Sequence, residues 1–392
     1  MILEDASPFL PELDIDKLRQ KKGAKWASVG HDQIPAWVAD MDFQVAPEIQ
    51  RVLADTVERG DLGYLDSQSG KYLSELFATR YHIRHGLDVD PGLVRITSDV
   101  VQAIGGCIFA FTDPGDKVLF LTPTYPPFFS VVSGLSRQIM DIDLVRENDT
   151  YVIDFDALQE AVADQRPTML LLCNPHNPLG RVFTRTELET LAEIALVNDM
   201  TIVSDEIHCD LVFQGYKHIP IAAVSDEVAK KTVTLSSASK TFNIAGLHCA
   251  QMAFGSKELF DSFQRCPSVL LGGVSSLGIA AASTAYAEGA LWLDAIMEIL
   301  NSNRNTLINW TKQFPSMGFI PPEATYLAWI NLRFLDLGCR LADLITEKTG
   351  IVLSDGLSFG KAGAGYVRLN FATGKTILEE ILERLGNFIS HG

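Results

Sequence analysis

Short apolar runs alternate with amphipathic stretches along most of this 392-residue chain. From about residue 47, helical patterns alternate with runs rich in β-branched residues, which is typical of a parallel sheet covered by helices. One helical stretch, residues 187–198, ends just before a new apolar run begins. The candidate strands are largely apolar, as expected for strands buried on both faces. They cover residues 93–97, 117–121, 169–173, 201–204, 232–235 and 249–254.

The pattern changes after about residue 286. A long helical stretch over residues 292–313 leads to strand patterns near 326–332 and 366–371, and a terminal helix follows from Lys375. This order indicates a second, smaller α+β unit. We find no internal repeat or flexible linker, so we expect the two units to pack tightly. The predicted boundaries are 46–285 for the large unit, and 1–45 with 286–392 for the N-terminal segment and the small unit.

Composition and charge narrow the class of protein. A hydrophobic share of 47% with 21% charged residues is typical of a globular protein, and a net charge of −17 argues against nucleic acid and anionic membranes as partners. The first residues lack the features of a signal peptide, so we expect a cytoplasmic protein. The longest uncharged stretch, residues 269–287, carries glycines and serines and predicts a buried helix.

The cysteines lack Cys-x-x-Cys spacing, and several lie in apolar runs. We therefore expect reduced core residues and neither disulfides nor metal ligands. The six are Cys107, Cys173, Cys209, Cys249, Cys266 and Cys339.

Lys240 lies among small hydroxyl residues in the run from Leu235 to Gly246, directly after a predicted strand. A desolvated lysine in such a setting can form a Schiff base with pyridoxal phosphate, whose phosphate the nearby hydroxyls and amides could hold. Taken alone, the run also fits an ordinary surface turn.

Three further segments fit the same cofactor. Residues 95–104 pass from a strand through a tight turn into a helix, which predicts a phosphate site at the helix N-terminus. The turn from Asn174 to Gly180 follows an apolar strand and could aim an amide into the crevice at the sheet edge, although a simple turn is the alternative. Asp205 ends the next strand and could pair with a pyridinium nitrogen, or cap a helix.

Together these segments resemble fold-type I pyridoxal phosphate enzymes, the class I/II aminotransferase superfamily, over almost the whole chain. The resemblance implies an α/β fold in which a mostly parallel seven-stranded sheet forms the large domain, residues 46–285, and binds pyridoxal 5′-phosphate. A smaller α+β domain completes the predicted fold.

The resemblance also implies roles for matching residues. Lys240 matches the Schiff-base lysine, and Asp205 matches the partner of the pyridine nitrogen. Asn177 and His208 match the residues that hydrogen-bond the 3-oxygen of the ring. Tyr125 matches the aromatic residue that stacks on the ring, and we expect it to act in catalysis with Lys240.

Other matches concern the phosphate and the substrate. The backbone of Val100 and Val101 and the hydroxyl of Ser237 match phosphate contacts. Tyr64 matches a catalytic tyrosine that reaches the phosphate of the neighbouring subunit, which implies a homodimer with shared active sites. Arg368 matches the arginine that binds the substrate α-carboxylate in a bidentate pair.

A narrower resemblance comes from the run Trp37-Val-Ala-Asp-Met-Asp-Phe43, which is similar to MalY/PatB-type cystathionine β-lyases, the C–S lyases. It implies that Ala39 and Asn177 join Arg368 at the substrate. A solvated acidic turn is the alternative for Asp40 and Asp42 taken individually. The resemblance thus implies β-elimination from L-cystathionine or a related cysteine S-conjugate to a thiol, pyruvate and ammonia.

Two alternatives share nearly all these residues: an aminotransferase of L-amino acids, and a lyase with an added regulatory role in binding a protein partner. Two positions depart from the pattern. His248 stands where many aminotransferases carry an arginine that holds the phosphate, which favours a lyase. Asp99 stands where glycine is common, so its carboxylate should point away from a phosphate.

Two further motifs point elsewhere only weakly. Residues 356–360 fit Gly-x-Ser-x-Gly, but no helix follows and only His391 lies downstream as a base. His82 and His85 lack a third nearby ligand, so we expect no metal site.

Overall fold

The computed structural model describes residues 12–64, 66–337 and 340–391. Its helices, in chain order, are α1 Ile15–Arg19, α2 Ala24–Ala27, α3 Pro47–Glu58, α4 Ser67–His85, α5 Val100–Phe111, α6 Pro127–Gly134, α7 Phe155–Gln165, α8 Arg185–Val197, α9 Asp226–Lys230, α10 Ala238–Thr241, α11 Lys257–Ser262, α12 Ser276–Glu288, α13 Ala290–Thr311, α14 Leu341–Thr349 and α15 Lys375–His391.

The strands are short and mostly buried. They are β1 Ile34–Pro35, β2 Val94–Thr97, β3 Lys117–Thr122, β4 Gln138–Asp143, β5 Val145–Glu147, β6 Thr150–Val152, β7 Met169–Cys173, β8 Thr201–Asp205, β9 Thr232–Ser236, β10 Ala250–Phe254, β11 Leu327–Asn331, β12 Ile351–Val352, β13 Ser354–Asp355 and β14 Tyr366–Asn370.

A seven-stranded sheet in the order β2-β10-β9-β8-β7-β3-β4 forms the centre of the fold. Strand β10 runs antiparallel to both neighbours, and the other pairings are parallel. Strands β3, β7, β8 and β9 therefore end at the same edge of the sheet. That edge is where ligands bind in open α/β sheets.

Alternate residues of the central strands enter different cores. Leu119 and Leu121 of β3 pack with helices α7 and α8, whereas Val118 and Phe120 pack with α5 and α6. Both faces of the sheet are covered, which explains why the sequences of these strands are continuous apolar runs. The prediction of a mostly parallel seven-stranded sheet is confirmed.

The apolar runs identified six of the seven strands, and they missed β4. This strand lies at the sheet edge, and Met140 is its only buried residue. The hairpin of β5 and β6 was missed as well; its residues are mostly exposed or half-buried.

The C-terminal part contains a three-stranded sheet in the order β11-β14-β13. The strands predicted near 326–332 and 366–371 and the helix from Lys375 are confirmed. Strand β1 of the N-terminal segment pairs in parallel with β12, so this segment packs on the C-terminal part. The division into units at 46–285 and at 1–45 with 286–392 stays a prediction.

Two smaller predictions have mixed outcomes. The cysteines within the described residues are free and buried, as predicted, whereas Cys339 lies outside the described residues. The helix predicted over 269–287 begins only at Ser276, because residues 268–271 form a 3-10 turn in which Val269 is exposed. Within the described ranges, no helix combines the length and apolarity needed to cross a bilayer.

Candidate active site

A cavity of about 740 Å³ lies at the carboxyl edge of the large sheet. Its walls include residues from the ends of the parallel strands, from the start of α5, and from the segment before α3. The structure brings together ten of the eleven site residues predicted from the sequence. They are Ala39, Val100, Val101, Tyr125, Asn177, Asp205, His208, Ser237, Lys240 and Arg368.

Lys240 lies on the short helix α10 and extends its amine to the backbone of the facing segment. Its Nζ donates to the Ala39 carbonyl oxygen at 2.7 Å and lies 3.7 Å from Asp40 Oδ1. Burial lowers the pKa of the amine, and the charge of Arg368 acts in the same direction, against the opposing effect of Asp40. The amine is therefore more readily neutral than an exposed lysine.

Asp205 is the last residue of β8 and is almost completely buried. Burial raises the pKa of its carboxyl to about 7, although the Ile207 backbone N–H donates to Oδ1 at 3.1 Å and favours the ionised form. A cation placed against this carboxylate would offset the desolvation that now opposes its charge. The site is therefore suited to a protonated ring nitrogen.

His208 lies three residues after Asp205, in the turn that follows β8. The Nδ1 atom of His208 is buried without a hydrogen-bond partner among the described residues. Burial, with the charges of Lys240 and Arg368, lowers the pKa of its ring to about 3. The imidazole is therefore neutral at physiological pH, with one nitrogen left for a ligand.

Arg368 lies on β14 and is held by several contacts. Its Nη1 donates to Asn177 Oδ1 at 3.0 Å, and its Nη2 donates to the Trp37 carbonyl oxygen at 2.8 Å and to Ser354 Oγ at 3.3 Å. Its guanidinium stacks over the Phe359 ring at 4.8 Å. Burial lowers the pKa of Arg368 to about 10, which still leaves it cationic, and its Nε is buried without a partner among the described residues.

Two asparagines hold the segment that precedes α3. Asn243 accepts from the Met41 backbone N–H at 2.9 Å and donates to the Phe43 carbonyl oxygen at 3.0 Å. Asn370 donates to the Val38 carbonyl oxygen at 2.7 Å. These bonds fix the backbone around Ala39 beside Lys240. Both asparagines lie within motifs recognised in the sequence, but their role was not predicted.

The two aspartates of this segment differ. Asp42 is buried, lies 2.9 Å from Lys25 Nζ through Oδ2, and accepts from Trp26 Nε1 at 2.6 Å through Oδ1. Asp40 is about one-third exposed and faces Lys240. The alternative of a solvated acidic turn is therefore wrong for Asp42, which anchors the segment to α2.

The start of α5 provides backbone donors to the cavity. Asp99 caps this helix, because its Oδ1 accepts from the Gln102 backbone N–H at 2.8 Å. The N–H groups of Val100 and Val101 belong to the first turn, which a helix does not pair internally. The Ser237 hydroxyl, which also lines the cavity, donates to the Cys249 carbonyl oxygen at 2.7 Å.

The two predicted tyrosines are in different places. Tyr125 lines the cavity, and burial, followed by the charge of Asp205, raises the pKa of its hydroxyl, which therefore stays protonated. Tyr64 is fully exposed and lies outside this cavity, in a groove that also includes Arg59 and Tyr72. The chain alone therefore does not bring Tyr64 to its predicted position.

The two weaker motifs do not form sites of their own. Ser358 of the Gly-x-Ser-x-Gly run donates to the Asp355 carbonyl oxygen at 2.7 Å within a 3-10 turn, and the side chain of His391 lies outside what the structure describes. His82 contacts Asp88 at 2.6 Å, whereas His85 faces Asp210, so the two histidines do not converge.

His85, Cys209 and Asp210 do lie together, with their possible ligand atoms within 4.8 Å of one another. However, Arg80 Nη2 lies 2.8 Å from Asp210 Oδ2, and Arg84 Nε lies 2.7 Å from Asp210 Oδ1. These two cations already neutralise the carboxylate, so the cluster forms a buried ion-pair network.

The donor set fits pyridoxal 5′-phosphate. His208 and Arg368 each carry a buried polar atom without a partner in the described part of the chain. Asp205 is a desolvated carboxylate that a cationic ring nitrogen would stabilise. Lys240 supplies an amine with a lowered pKa, and the N-terminus of α5 supplies donors for a phosphate.

Comparison with known proteins gives consistent results. Residues 38–385 match the family model described as aminotransferase class I and II. The chain is 33% identical to cystathionine beta-lyase PatB of Bacillus subtilis (strain 168), over 95% of this chain and 99% of that protein. Aspartate aminotransferase of Geobacillus stearothermophilus matches at 25% identity over 94% of each chain.

Two solved structures are also similar. Cystalysin from Treponema denticola, which contains a pyridoxal 5′-phosphate cofactor, has a TM-score of 0.91 and 30% identity and covers 98% of both chains. The pyridoxal phosphate-bound C–S lyase from Staphylococcus hominis has a TM-score of 0.90 and 28% identity, and covers 98% of this chain and 99% of its own.

Proposed function

The chain belongs to the aminotransferase class I and II family, and we propose that it is a pyridoxal phosphate-dependent C–S β-lyase. It cleaves L-cystathionine or a related cysteine S-conjugate to a thiol, pyruvate and ammonia. The observation that carries the proposal is the placement of the Lys240 amine against the Ala39 carbonyl oxygen, at 2.7 Å. This contact joins the cofactor lysine to the segment that resembles the C–S lyases.

The degree of similarity supports lyase over transaminase chemistry. The relative named as a cystathionine β-lyase is more similar to this chain than the one named as an aspartate aminotransferase, and both matches cover nearly the full length. Both reactions begin with loss of the substrate α-proton, so the residues at the reacting carbon serve either one. An aminotransferase of L-amino acids is therefore the alternative that an experiment must exclude.

The residues divide into cofactor and substrate groups. Asp205, His208 and Asn177 would hold the ring of the cofactor, and the start of α5 with Ser237 would hold its phosphate. When bound, pyridoxal phosphate supplies an electron sink that stabilises negative charge at the substrate Cα. Asp205 would keep the proton on the ring nitrogen, because a buried carboxylate is stabilised by an adjacent cation.

Arg368 orients the substrate. Its guanidinium is buried and cationic, and its Nε, which has no partner among the described residues, can join an Nη atom in a bidentate contact with an α-carboxylate. The contacts of Arg368 with the Trp37 carbonyl oxygen and Ser354 Oγ restrict its motion. The α-carboxylate thereby fixes the direction of the Cα–H bond.

Lys240 moves the proton. Its Nζ takes the proton from the substrate Cα, which the lowered pKa of the amine favours by increasing the neutral fraction. The Cβ–S bond then breaks, and the thiolate leaves with the bonding electron pair. Water hydrolyses the remaining fragment to pyruvate and ammonia, so no external oxidant or amino acceptor is consumed.

The test is incubation of the purified holoenzyme with L-cystathionine, following pyruvate and free thiol with and without an added 2-oxo acid. We expect equal amounts of pyruvate and thiol without the oxo acid, and an activity about 10²- to 10⁴-fold lower for Lys240→Ala, because the proton-transfer group is lost. Turnover that requires the oxo acid would instead establish an aminotransferase.

The substrate can be narrowed by the same assay. L-cystine and S-alkyl cysteines share the reacting atoms with cystathionine and differ beyond Cβ, so their relative kcat/KM values report on the outer part of the cavity.

In either assay, activity of Lys240→Ala equal to that of the wild type would exclude the assigned role of Lys240.

We also propose a homodimer, which rests on Tyr64. This side chain is fully exposed and lies outside the cavity of its own chain, so its predicted role requires a second copy. Light scattering of the holoenzyme should give twice the chain mass. In a dimer, Tyr64→Phe should weaken retention of the cofactor, and a fully active monomer would contradict the proposal.

A further inference from the structure

The phosphate end of the cavity carries a pair of side chains that the proposed function does not use. Asp99 and His248 both line the cavity, and His248 Nδ1 lies 3.8 Å from Asp99 Oδ2. Asp99 directly precedes helix α5. The first turn of this helix presents the backbone N–H groups of Val100 and Val101. A carboxylate at this point opposes the binding of an anion unless its charge is compensated.

We propose that the Asp99–His248 pair makes retention of the cofactor phosphate dependent on pH. When the imidazole is protonated, it compensates the Asp99 carboxylate, and the start of α5 attracts an anion. When the imidazole is neutral, the carboxylate charge is uncompensated and opposes the phosphate. The inference rests on the proposed pyridoxal phosphate site and adds a positioning role for His248 within it.

The backbone holds His248 in this place. His248 ends the 3-10 turn Ala245–Leu247 and has a φ of 51°, a left-handed conformation. A β-carbon at Gly278 of α12 would lie 3.2 Å from the His248 carbonyl oxygen and 2.3 Å from that of Leu247, so α12 packs closely against this turn. The imidazole side chain is nevertheless 61% exposed and can exchange protons with solvent.

The charged groups around this ring come from several elements. Asp99 is the carboxylate that pairs with His248 within 4 Å in the described part of the chain. The first turn of α12, which packs against the backbone of His248, contains no charged residue. The remaining charged groups that line the same cavity are Lys240, Asp205, Asp355 and Arg368.

Asp99 is held in place independently of His248. Its Oδ1 accepts from the Gln102 backbone N–H at 2.8 Å, and its Oδ2 accepts from Ser98 Oγ at 3.3 Å. The carboxylate therefore stays at the helix start when the imidazole loses its proton. Histidine is the ordinary side chain whose charge responds to pH near neutrality, so the imidazole is the member of this pair that can act as a switch.

The test is equilibrium dialysis of the holoenzyme, with bound pyridoxal phosphate measured by absorbance at about pH 6 and about pH 8.5, on either side of most histidine titrations. His248→Asn removes the ring and keeps a residue that tolerates the left-handed backbone. His248→Arg supplies a permanent charge, and Asp99→Asn removes the carboxylate while keeping a helix-capping side chain.

Between the two pH values, the dissociation constant of the wild type should rise by roughly 1.5- to 5-fold more than that of His248→Asn, the range of a solvent-screened charge contact. His248→Arg and Asp99→Asn should bind tightly at both pH values. Titrations of the cofactor and of Lys240 are common to all variants and cancel in this comparison.

A matched control is His82→Asn, which disrupts another histidine–aspartate contact, His82 with Asp88 at 2.6 Å on the surface. This variant should leave unchanged the ratio of the dissociation constants at the two pH values, here called the pH ratio. The same pH ratio in His248→Asn as in the wild type would overturn the inference, as would failure of Asp99→Asn to tighten binding at about pH 8.5. A protein that bound no pyridoxal phosphate at either pH would instead overturn the proposed function.

Discussion

The two ends of the cavity treat their charged groups differently. At the end proposed to hold the ring and the substrate, Asp205 and Arg368 are 4% and 6% exposed. Burial raises the pKa of Asp205 to about 7 and lowers that of Arg368 to about 10. At the end proposed to hold the phosphate, the side chains of Asp99 and His248 are 38% and 61% exposed.

The two ends of the cavity therefore differ in how strongly their charged groups can interact with a bound ligand. Charges at the buried end are poorly solvated, so each gains most when a ligand of opposite charge arrives. Charges at the exposed end are screened by water and ions, so each contributes little alone and responds to the pH of the solution. Substitutions at the buried end should therefore have the larger effects.

Among the substitutions that compare the two ends, the largest effect is expected from Arg368→Lys. Lysine cannot form the planar bidentate contact with a carboxylate, and the Nη contact with Asn177 Oδ1 would be lost. We expect kcat/KM for L-cystathionine to fall by about 10²- to 10³-fold, the cost of disrupting a buried charge contact. Steady-state kinetics at saturating cofactor measures it, and most of the loss should appear in KM.

A control for this substitution lies on α8. Arg185 is half-exposed and lies 3.5 Å from Glu189, one helical turn away. Arg185→Lys should change kcat/KM by less than about two-fold, because surface ion pairs contribute little. Equal effects of the two substitutions would remove the distinction between the buried end and the surface.

An effect of at most similar size is expected from Asp205→Asn in the cofactor-free protein, whose stability relative to the wild type should depend on pH. The pKa of Asp205 in the folded protein, about 7, lies above its ordinary value of 3.8. Its contribution to stability is therefore fully present below about pH 4 and is lost as the pH rises through about 7. Asparagine does not ionise and avoids this loss.

The stability of Asp205→Asn relative to the wild type should therefore increase with pH, by up to about 4 kcal/mol at about pH 8. Urea unfolding of both proteins at about pH 4.5, 6 and 8 measures the difference in the free energy of unfolding. Tyr125→Phe is the control, because burial raises the pKa of that hydroxyl and keeps it protonated throughout. A difference for Asp205→Asn that does not vary with pH would contradict the buried-carboxylate assignment.

The sequence predicted some features of the site better than others. Asp205, Ser237 and Lys240 follow apolar strands that run in parallel, so their meeting at one sheet edge could be expected from the pattern. Strand β4 was missed because an edge strand buries only part of its residues. The resemblance to a known family supplied the count of seven strands that the apolar runs alone did not give.

Contacts made by the backbone were not predictable. Asn370 donates to the carbonyl oxygen of Val38, which lies 332 residues away, and Arg368 donates to that of Trp37. Every residue carries a carbonyl group, so no side-chain pattern marks which ones become acceptors. The tertiary fold alone brings these oxygens to the site.

The smallest effect is expected from Asp99→Ala at the exposed end. Alanine loses the capping bond to the Gln102 N–H, so the free energy of unfolding should fall by about 1 kcal/mol. Asp154→Ala is a matched control, because Asp154 caps α7 through the Ala157 N–H at 3.0 Å, outside the residues that line the cavity. Urea unfolding should give both variants a similar loss of stability.

Cofactor retention should then separate the two variants. Asp99→Ala removes a carboxylate from the start of α5 and should retain pyridoxal phosphate more tightly at about pH 8.5, where most histidines are neutral. Asp154→Ala should leave retention unchanged, because it removes a cap and no charge from the cavity. A similar change in retention for both variants would mean that the effect came from helix stability, and the exposed end would then have no electrostatic role of its own.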